Sequence, residues 1–174
     1  MHNRRELEQA WQHYLREVAE INRSGEWGAY ADLFREDVVY RRHGHAPCHG
    51  REPFRAWITT GTSTLPGSLI TSVDPVWHRL DLTEGRVLME TRHTLRDPGD
   101  GSMHFALSTT LLTYGGEGLW ASGDDVHNAL SYTTMYRSWA RAADACGTLG
   151  EDEAELFAAM GLHRRPEPML GSGS

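Results

Sequence analysis

Residues 86–128 read RVLMETRHTLRDPGDGSMHFALSTTLLTYGGEGLWASGDDVHN, and this stretch decides the fold class. It contains three segments rich in β-forming residues, over 86–97, 102–114 and 118–128, which are separated by turns rich in glycine and proline. A fourth such segment, 69–80, precedes them. Connections this short join antiparallel neighbours, so the sequence predicts a meander of four long strands.

Helical patterns surround the meander on both sides, with apolar residues recurring every three to four positions. The predicted elements outside it are a helix that ends before residue 23, a short helix over 27–34, a strand at 38–43, and helices from residue 51, over 131–146 and over 151–162. Helices that cover one face of a strongly curved, mostly antiparallel sheet form an α+β cone with room for a pocket.

Composition limits the size and the partners of the protein. A chain of 174 residues with 39% hydrophobic residues can build one well-buried core but leaves little room for a second domain. We expect one cone domain over residues 1–146, a helical extension over 147–170 and a flexible tail over 171–174. The formal net charge of -7, with scattered basic residues, argues against nucleic-acid binding.

The chain shows no pattern that would direct it to or across a membrane. Its first residues lack the apolar stretch of a secretory signal, and no later segment could span a bilayer. Cys48 and Cys146 lie far apart and outside a CxxC spacing, so both are expected to be free thiols. We therefore expect a cytoplasmic protein.

Several segments together carry a resemblance to a known family. They are residues 27–34, 36–40, 50–58, 96–102, 118–120 and 124–128, together with His43. In this order and spacing they resemble the SnoaL-like branch of the nuclear-transport-factor-2-like superfamily, over about residues 5–145. The resemblance implies a conical fold with a deep pocket, homodimers formed through the outer face of the sheet, and no cofactor. Members include polyketide cyclases, ketosteroid isomerases, limonene epoxide hydrolases, scytalone dehydratases and non-catalytic ligand binders, so the fold does not fix the function.

Alternation along the last strand places Ala121, Gly123, Asp125 and His127 on one face. The small residues on this face leave room beside the carboxylate for a ligand. In the enzymes that the chain resembles, an acid near the end of this strand points into the pocket as general base, and Asp125 occupies that position. Burial would raise its pKa into a useful range. The alternative is that Asp125 only caps the loop or helix that follows.

Two other strands supply further candidates for catalysis. His93 shares a mostly apolar face with Met89, so it is either a cavity residue that exchanges protons near neutral pH or a satisfied core histidine. Tyr40 and Arg42 share a face of the first strand, and the resemblance gives Tyr40 a role in orienting water or substrate. Arg42 stands where ketosteroid isomerases have their catalytic aspartate. It could pair with Asp125, hold a substrate oxyanion or reach solvent.

Four residues are candidates for contacts with a substrate. His127 follows Asp125 on the same face and could act as an acid or proton relay. His104 lies on a strand whose inward face the alternation leaves undecided. Trp27 and Tyr14 belong to an aromatic stripe that either fills the core or forms part of a cavity wall.

A metal site is not expected. His43 and His45 are spaced so that two imidazoles could align on a strand, but no acid or further cysteine completes a ligand set.

Two classes of function follow. The first is a cofactor-independent acid/base enzyme, an isomerase, cyclase, dehydratase or related lyase, that acts on an apolar polyketide-, terpenoid- or steroid-like molecule with Asp125 as its base. The second is a non-catalytic small-molecule-binding or interaction module, in which Asp125, His93 and Arg42 neutralise one another in a closed hydrogen-bond network. An epoxide hydrolase is a narrower alternative, but it expects an acid two residues after Arg92, where Thr94 stands.

Overall fold

The computed structural model of the protein describes residues 4–162. Its elements are α1 (Arg4–Ser24), a 3₁₀ helix (Trp27–Leu33), β1 (Phe34–Arg42), β2 (Cys48–His49), α2 (Arg51–Ser63), a 3₁₀ turn (Gly67–Leu69), β3 (Ile70–Asp81), β4 (Arg86–Leu95), β5 (Phe105–Gly116), β6 (Leu119–His127), α3 (Ala129–Cys146) and α4 (Glu151–Ala159). The predicted tail over 171–174 and the end of the predicted extension, 163–170, lie outside the described residues.

The six strands form one curled, unclosed sheet in the order β2-β1-β6-β5-β4-β3. Strands β3 to β6 pair antiparallel with their neighbours, which is the predicted meander. Strand β1 joins the meander by running parallel to β6, with Arg42 opposite Asp125. The prediction of an α+β cone with a mostly antiparallel sheet is therefore confirmed.

The first strand begins earlier than predicted. Residues from Phe34 onward belong to β1, although their spacing from Trp27 favours a continued helix. Phe34 pairs with Trp120 of β6, and both side chains are fully buried. This long-range pairing overrides the local helical preference.

A bulge changes which side of the sheet the first residues of β6 face. The register between β5 and β6 shifts between Thr113 and Tyr114, so that Tyr114 pairs with Trp120. Trp120 is consequently buried on the inner side of the sheet, where strict alternation with Ser122 would have turned it outward.

The third helix has well-formed caps at both ends. The side chain of Asn128 accepts hydrogen bonds from the N–H groups of Leu130 and Ser131, so α3 starts at Ala129 and not at residue 131 as predicted. It ends at Gly147, whose φ of 71° places it in the left-handed region that terminates helices.

The protein has two hydrophobic clusters. The larger lies between α1, α2 and the sheet and contains Trp11, Phe54 and Trp120, whereas the second joins α3 and α4 through Trp139 and Phe157. The extension after residue 146 thus packs on α3, and within residues 4–162 it contributes no side chain to the main cavity. In that same part of the chain, no helix combines the length and apolarity that crossing a bilayer requires.

Candidate functional site

A cavity of about 590 Å³ lies between the inner face of the sheet and the helices. Aromatic side chains form much of its wall: Tyr14, Trp27, Tyr30, Tyr40, Phe54, Trp57, Tyr132 and Tyr136. The ionisable groups that line it, apart from these phenols, are Arg42, His43, His45, His93, Asp125 and His127. An apolar cavity of this size with a few grouped polar side chains is typical of a small-molecule site.

Asp125 holds a fixed position in the cavity wall. Its Oδ2 accepts a hydrogen bond from the Tyr40 hydroxyl at 2.7 Å, and its Oδ1 accepts one from the Thr110 hydroxyl at 2.5 Å. These partners come from the neighbouring strands β1 and β5, and Thr110 lies directly opposite Asp125 in the sheet. Because Asn128 caps α3, Asp125 has no capping role.

The environment of Asp125 suits a base. Burial raises the pKa of the Asp125 carboxyl, while the hydrogen bonds from Thr110 and Tyr40 and the charge of Arg42 oppose the rise. The carboxyl is deeply set but still lines the cavity, so a ligand could reach it. A carboxylate with a raised pKa takes up a proton more readily than an exposed one.

The space beside Gly123 is occupied by protein. A Cβ at Gly123 would lie 2.3 Å from Cε2 of Tyr40, because the Tyr40 ring crosses directly over the strand at this point. The other side of that ring stacks on Phe54, with centroids 4.3 Å apart. The predicted room for a ligand beside Gly123 is thus used to place the tyrosine that holds Asp125.

Arg42 projects into the cavity with His127 as its hydrogen-bond partner. The distance from Arg42 Nη2 to His127 Nε2 is 3.0 Å. Since a guanidinium only donates, His127 Nε2 accepts and the ring proton resides on Nδ1. The Arg42 guanidinium also lies 5.3 Å from the ring centroid of Trp57. Burial, together with the charge of Arg42, lowers the pKa of His127 to about 4.

His93 belongs to a hydrogen-bonded group on β4 and β5. Its Nε2 lies 3.0 Å from the Ser108 hydroxyl, which is 2.7 Å from the hydroxyl of Thr91. Burial, with the nearby His127 and Arg42, lowers the pKa of His93 to about 3. His93 is therefore neutral at physiological pH, which favours the alternative of a satisfied core histidine over that of a residue that exchanges protons near neutral pH.

Asp125, Arg42 and His93 each form hydrogen bonds with a different set of partners. Asp125 bonds to Tyr40 and Thr110, Arg42 bonds to His127, and His93 bonds to hydroxyl groups of the sheet. The closed network of Asp125, His93 and Arg42 that a non-catalytic module predicts is not formed by these side chains.

Three of the four predicted substrate contacts, Tyr14, Trp27 and His127, lie in the cavity wall, and His104 does not. Tyr14 and Trp27 both line the cavity, and the Tyr14 hydroxyl lies 3.2 Å from that of Tyr30. His104 follows the alternation of the inward face but lies beyond the end of the cavity, where its ring bonds to Ser102 and to Ser138 of α3. The structure therefore separates His104 from the other candidates.

His43 and His45 both line the cavity but form no metal cluster. Within residues 4–162, no group of three histidine, cysteine or acidic side chains lies close enough to hold a metal ion.

Sequence reasoning missed several polar groups of the site. Thr91, Ser108 and Thr110 are all buried; Thr91 and Thr110 line the cavity, and Ser108 contacts the ring of His93. Both faces of β5 carry apolar residues, so alternation alone could not show that Ser108 and Thr110 face inward. Knowledge that Thr110 pairs with Asp125 would have decided the question. For Tyr132, in the first turn of α3, no sequence pattern indicated a place in the cavity wall.

Comparisons with known proteins identify the fold. No family model matches the chain, and no curated protein matches it in sequence. Among solved structures, a putative isomerase from Bacillus subtilis is similar with a TM-score of 0.59 and 13% identity, covering 75% of this chain and 94% of its own. These values show a shared fold only.

Two further structures carry the same fold. A hypothetical protein with a ketosteroid isomerase-like fold from Catenulispora acidiphila DSM 44928, in complex with trimethylamine, matches with a TM-score of 0.54 and 20% identity, covering 70% of this chain and 90% of its own. The epoxide hydrolase/cyclase-like enzyme SalBIII, described in pyran ring formation in the polyether salinomycin, matches with a TM-score of 0.56 and 15% identity, covering 75% and 97%. The chain thus has the ketosteroid isomerase-like cone fold of SnoaL-like and nuclear-transport-factor-2-like proteins.

Proposed function

We propose that the protein is a cofactor-independent acid/base enzyme that acts on an apolar polyketide-, terpenoid- or steroid-like molecule as an isomerase, cyclase, dehydratase or related lyase. The observation that carries this proposal is the position of Asp125, whose carboxyl is deeply set, held by two hydroxyl donors and exposed to the cavity. The similarity in fold to the putative isomerase and to the cyclase-like enzyme SalBIII supports the reaction class.

The chemistry that fits this site begins with proton abstraction. Asp125 would take a proton from a carbon next to a carbonyl group, and the electron pair of that C–H bond would move onto the carbonyl oxygen to form an enolate. Protonated Asp125 would then return the proton to another carbon, or the enolate would expel a leaving group on the adjacent carbon. Both outcomes need no external oxidant or reductant.

The other polar groups have supporting roles in this proposal. Tyr40 and Thr110 orient the carboxyl, and the Arg42 guanidinium is the cationic donor that would hold a negatively charged oxygen of the bound molecule. His93 and His127 are neutral at physiological pH, so they would give or accept hydrogen bonds and would not act as cationic acids.

Epoxide hydrolysis is less well supported by this geometry. Among the cavity-lining residues of the described chain, Asp125 is the one carboxylate. Thr94, at the position where that chemistry expects an acid, pairs with Phe105 on the outer side of the sheet.

The test of the proposed function is deuterium exchange into apolar ketones. The protein would be incubated in D₂O with a panel of bicyclic ketones that includes 1-tetralone, and mass spectrometry would measure deuterium at the α-carbon. We expect exchange above the protein-free rate with the wild-type chain and loss of it in Asp125→Asn. Asp124→Asn is the matched control, because Asp124 bonds to Arg41 on the exposed side of the sheet.

We also propose a homodimer formed through the outer face of the sheet. Large apolar side chains with between a third and a little over half of their surface exposed lie on that face: Trp77, Leu88, Phe105, Leu107 and Val126. A monomer rarely exposes an apolar patch of this extent, and a sheet face of this kind fits a second copy of itself around a twofold axis.

We further propose that the enzyme is cytoplasmic and that residues 1–146 form its functional domain. The two free cysteines, Cys48 and Cys146, support a reducing compartment. The packing of α4 on α3, away from the cavity, supports a structural role for the extension over 147–170.

A further inference from the structure

We propose that the natural ligand of the cavity carries a carboxylate on its apolar body and that Arg42 binds it; this inference rests on the proposed function and names its substrate class. The starting observation is that a cation faces an apolar cavity without an acidic partner. Within residues 4–162, Arg42 forms no ion pair, and its hydrogen bond goes to a neutral imidazole.

Asp125 does not act as the hydrogen-bonded counterion of Arg42. The two residues are opposite each other on β1 and β6, yet both carboxyl oxygens of Asp125 are engaged by the hydroxyls of Tyr40 and Thr110. A guanidinium in an apolar site is costly without an anion, so the free protein leaves a place for one.

The groups around Arg42 are rich in hydrogen-bond donors. The Nδ1 of His127 is buried without a hydrogen-bond partner, and it carries the ring proton because Nε2 accepts from Arg42. The hydroxyl of Tyr132 is also buried; within residues 4–162 it makes no hydrogen bond of standard geometry, and its weaker hydrogen-bond contact is with the Ser108 hydroxyl. The rings of His127 and Tyr132 lie 4.9 Å apart, so these donors belong to one region of the wall.

The electrostatics of this region favour an anion over a neutral ligand. Burial is the main cause of the lowered pKa values of His93 and His127, and the charge of Arg42 adds to it, so the guanidinium is a source of positive potential in this part of the cavity. The Asp125 base and the Arg42 donor group both line this cavity and extend from neighbouring strands. A ligand held by its carboxylate at Arg42 would present the rest of its apolar body to Asp125.

A binding experiment with matched probes tests this inference without any turnover. Isothermal titration calorimetry would compare 2-naphthoate with its neutral isostere 2-naphthamide, using the full chain at pH 7. We expect the wild-type protein to bind 2-naphthoate about ten-fold or more tightly than 2-naphthamide, because the carboxylate gains charge-assisted hydrogen bonds. Arg42→Gln should abolish this preference and change 2-naphthamide affinity less than about two-fold, which also reports that the variant is folded.

The control variant is Arg41→Gln, which removes the same charge from the adjacent residue. Arg41 pairs with Asp124 and is exposed, so its loss should leave the preference for 2-naphthoate intact. Equal binding of the two probes, no binding of 2-naphthoate, or a preference that survives Arg42→Gln would overturn the inference. None of these results would affect the role of Asp125, because that role is measured by deuterium exchange in Asp125→Asn.

Discussion

Arg42 and Asp125 are opposite each other on the parallel strands β1 and β6, but their side chains bind different partners. Asp125 accepts hydrogen bonds from Tyr40 and Thr110, whereas Arg42 donates to His127. The separation matters because a carboxylate locked in an ion pair is a poor base and a locked guanidinium is a poor anion receptor. The fold keeps the two opposite charges in one cavity and leaves each accessible to a ligand.

Removing the tyrosine hydroxyl should raise the pKa of Asp125 further. In Tyr40→Phe, the carboxylate loses a hydrogen bond that favours its charged form, so its protonated form becomes easier to populate. Carboxyl ¹³C NMR titration of the free protein would measure the change. Tyr14→Phe is the control, since the Tyr14 hydroxyl bonds to Tyr30, and an equal rise in both variants would contradict the specific role of Tyr40.

A methyl group at residue 123 should displace the Tyr40 ring. Gly123→Ala places a Cβ within 2.7 Å of two ring carbons of a buried side chain, and such overpacking costs about 1–3 kcal/mol of unfolding free energy. Urea denaturation would measure the loss. Gly61→Ala in α2, where an added Cβ meets nothing within 4 Å, should be neutral or stabilise the protein by about 0.5–1 kcal/mol. Comparable losses in both variants would show that crowding at Tyr40 is not the cause.

Acid should destabilise the protein through His93. Its pKa falls from 6.5 in the unfolded chain to about 3 in the fold, so between these values the unfolded state binds more protons and stability falls as pH falls. Lowering the pH from 6.5 to 4.5 should cost roughly 2 kcal/mol from this residue. The raised pKa of Asp125 acts in the opposite direction just above its ordinary value of 3.8.

Urea denaturation at several pH values would isolate the histidine effect. His93→Gln should make the decline of stability between pH 6.5 and 4.5 less steep, with the remaining decline due to His127, while substitution of the exposed His49 by glutamine should leave the slope unchanged. A decline of the same slope in His93→Gln and wild type would contradict the buried, neutral state of His93.

The outer face of the sheet should mediate dimerisation. Light scattering after size exclusion should give the wild-type chain about twice its mass of 19.6 kDa, and Leu107→Lys should give the monomer mass. Leu107 lies opposite Arg92, so a new lysine adds repulsion to the loss of apolar contact. Leu130→Lys changes a more exposed leucine on α3 and should leave the dimer intact; a wild-type monomer would rule the interface out.

The overall fold was predictable because its signals are local. Turn residues such as Gly85 and Gly118 fix the hairpins of the meander. The period-two pattern of β4 places Met89 and Thr91 together on its inward face. Where local and long-range preferences compete, the prediction was wrong, as for the early start of β1 at Phe34.

The site was only partly predictable because its geometry depends on contacts between strands. Alternation placed Asp125 and His127 on one face, but it could not show that Tyr40 fills the space at Gly123. Nor could it show that burial removes the titration of His93 from the neutral range. Such properties arise from the pairing of strands and from the depth of the cavity.

If Asp125 is the catalytic base, the ionisation of its carboxyl must control the rate of exchange. The pKa of the Asp125 carboxyl, measured by ¹³C NMR titration, would be compared with the pH at which deuterium exchange into 1-tetralone rises. We expect the two values to coincide, both to lie above 3.8, and both to move upward in Tyr40→Phe. An exchange rate that does not follow the ionisation of Asp125, or a carboxyl pKa at or below 3.8, would contradict the assignment of Asp125 as the base.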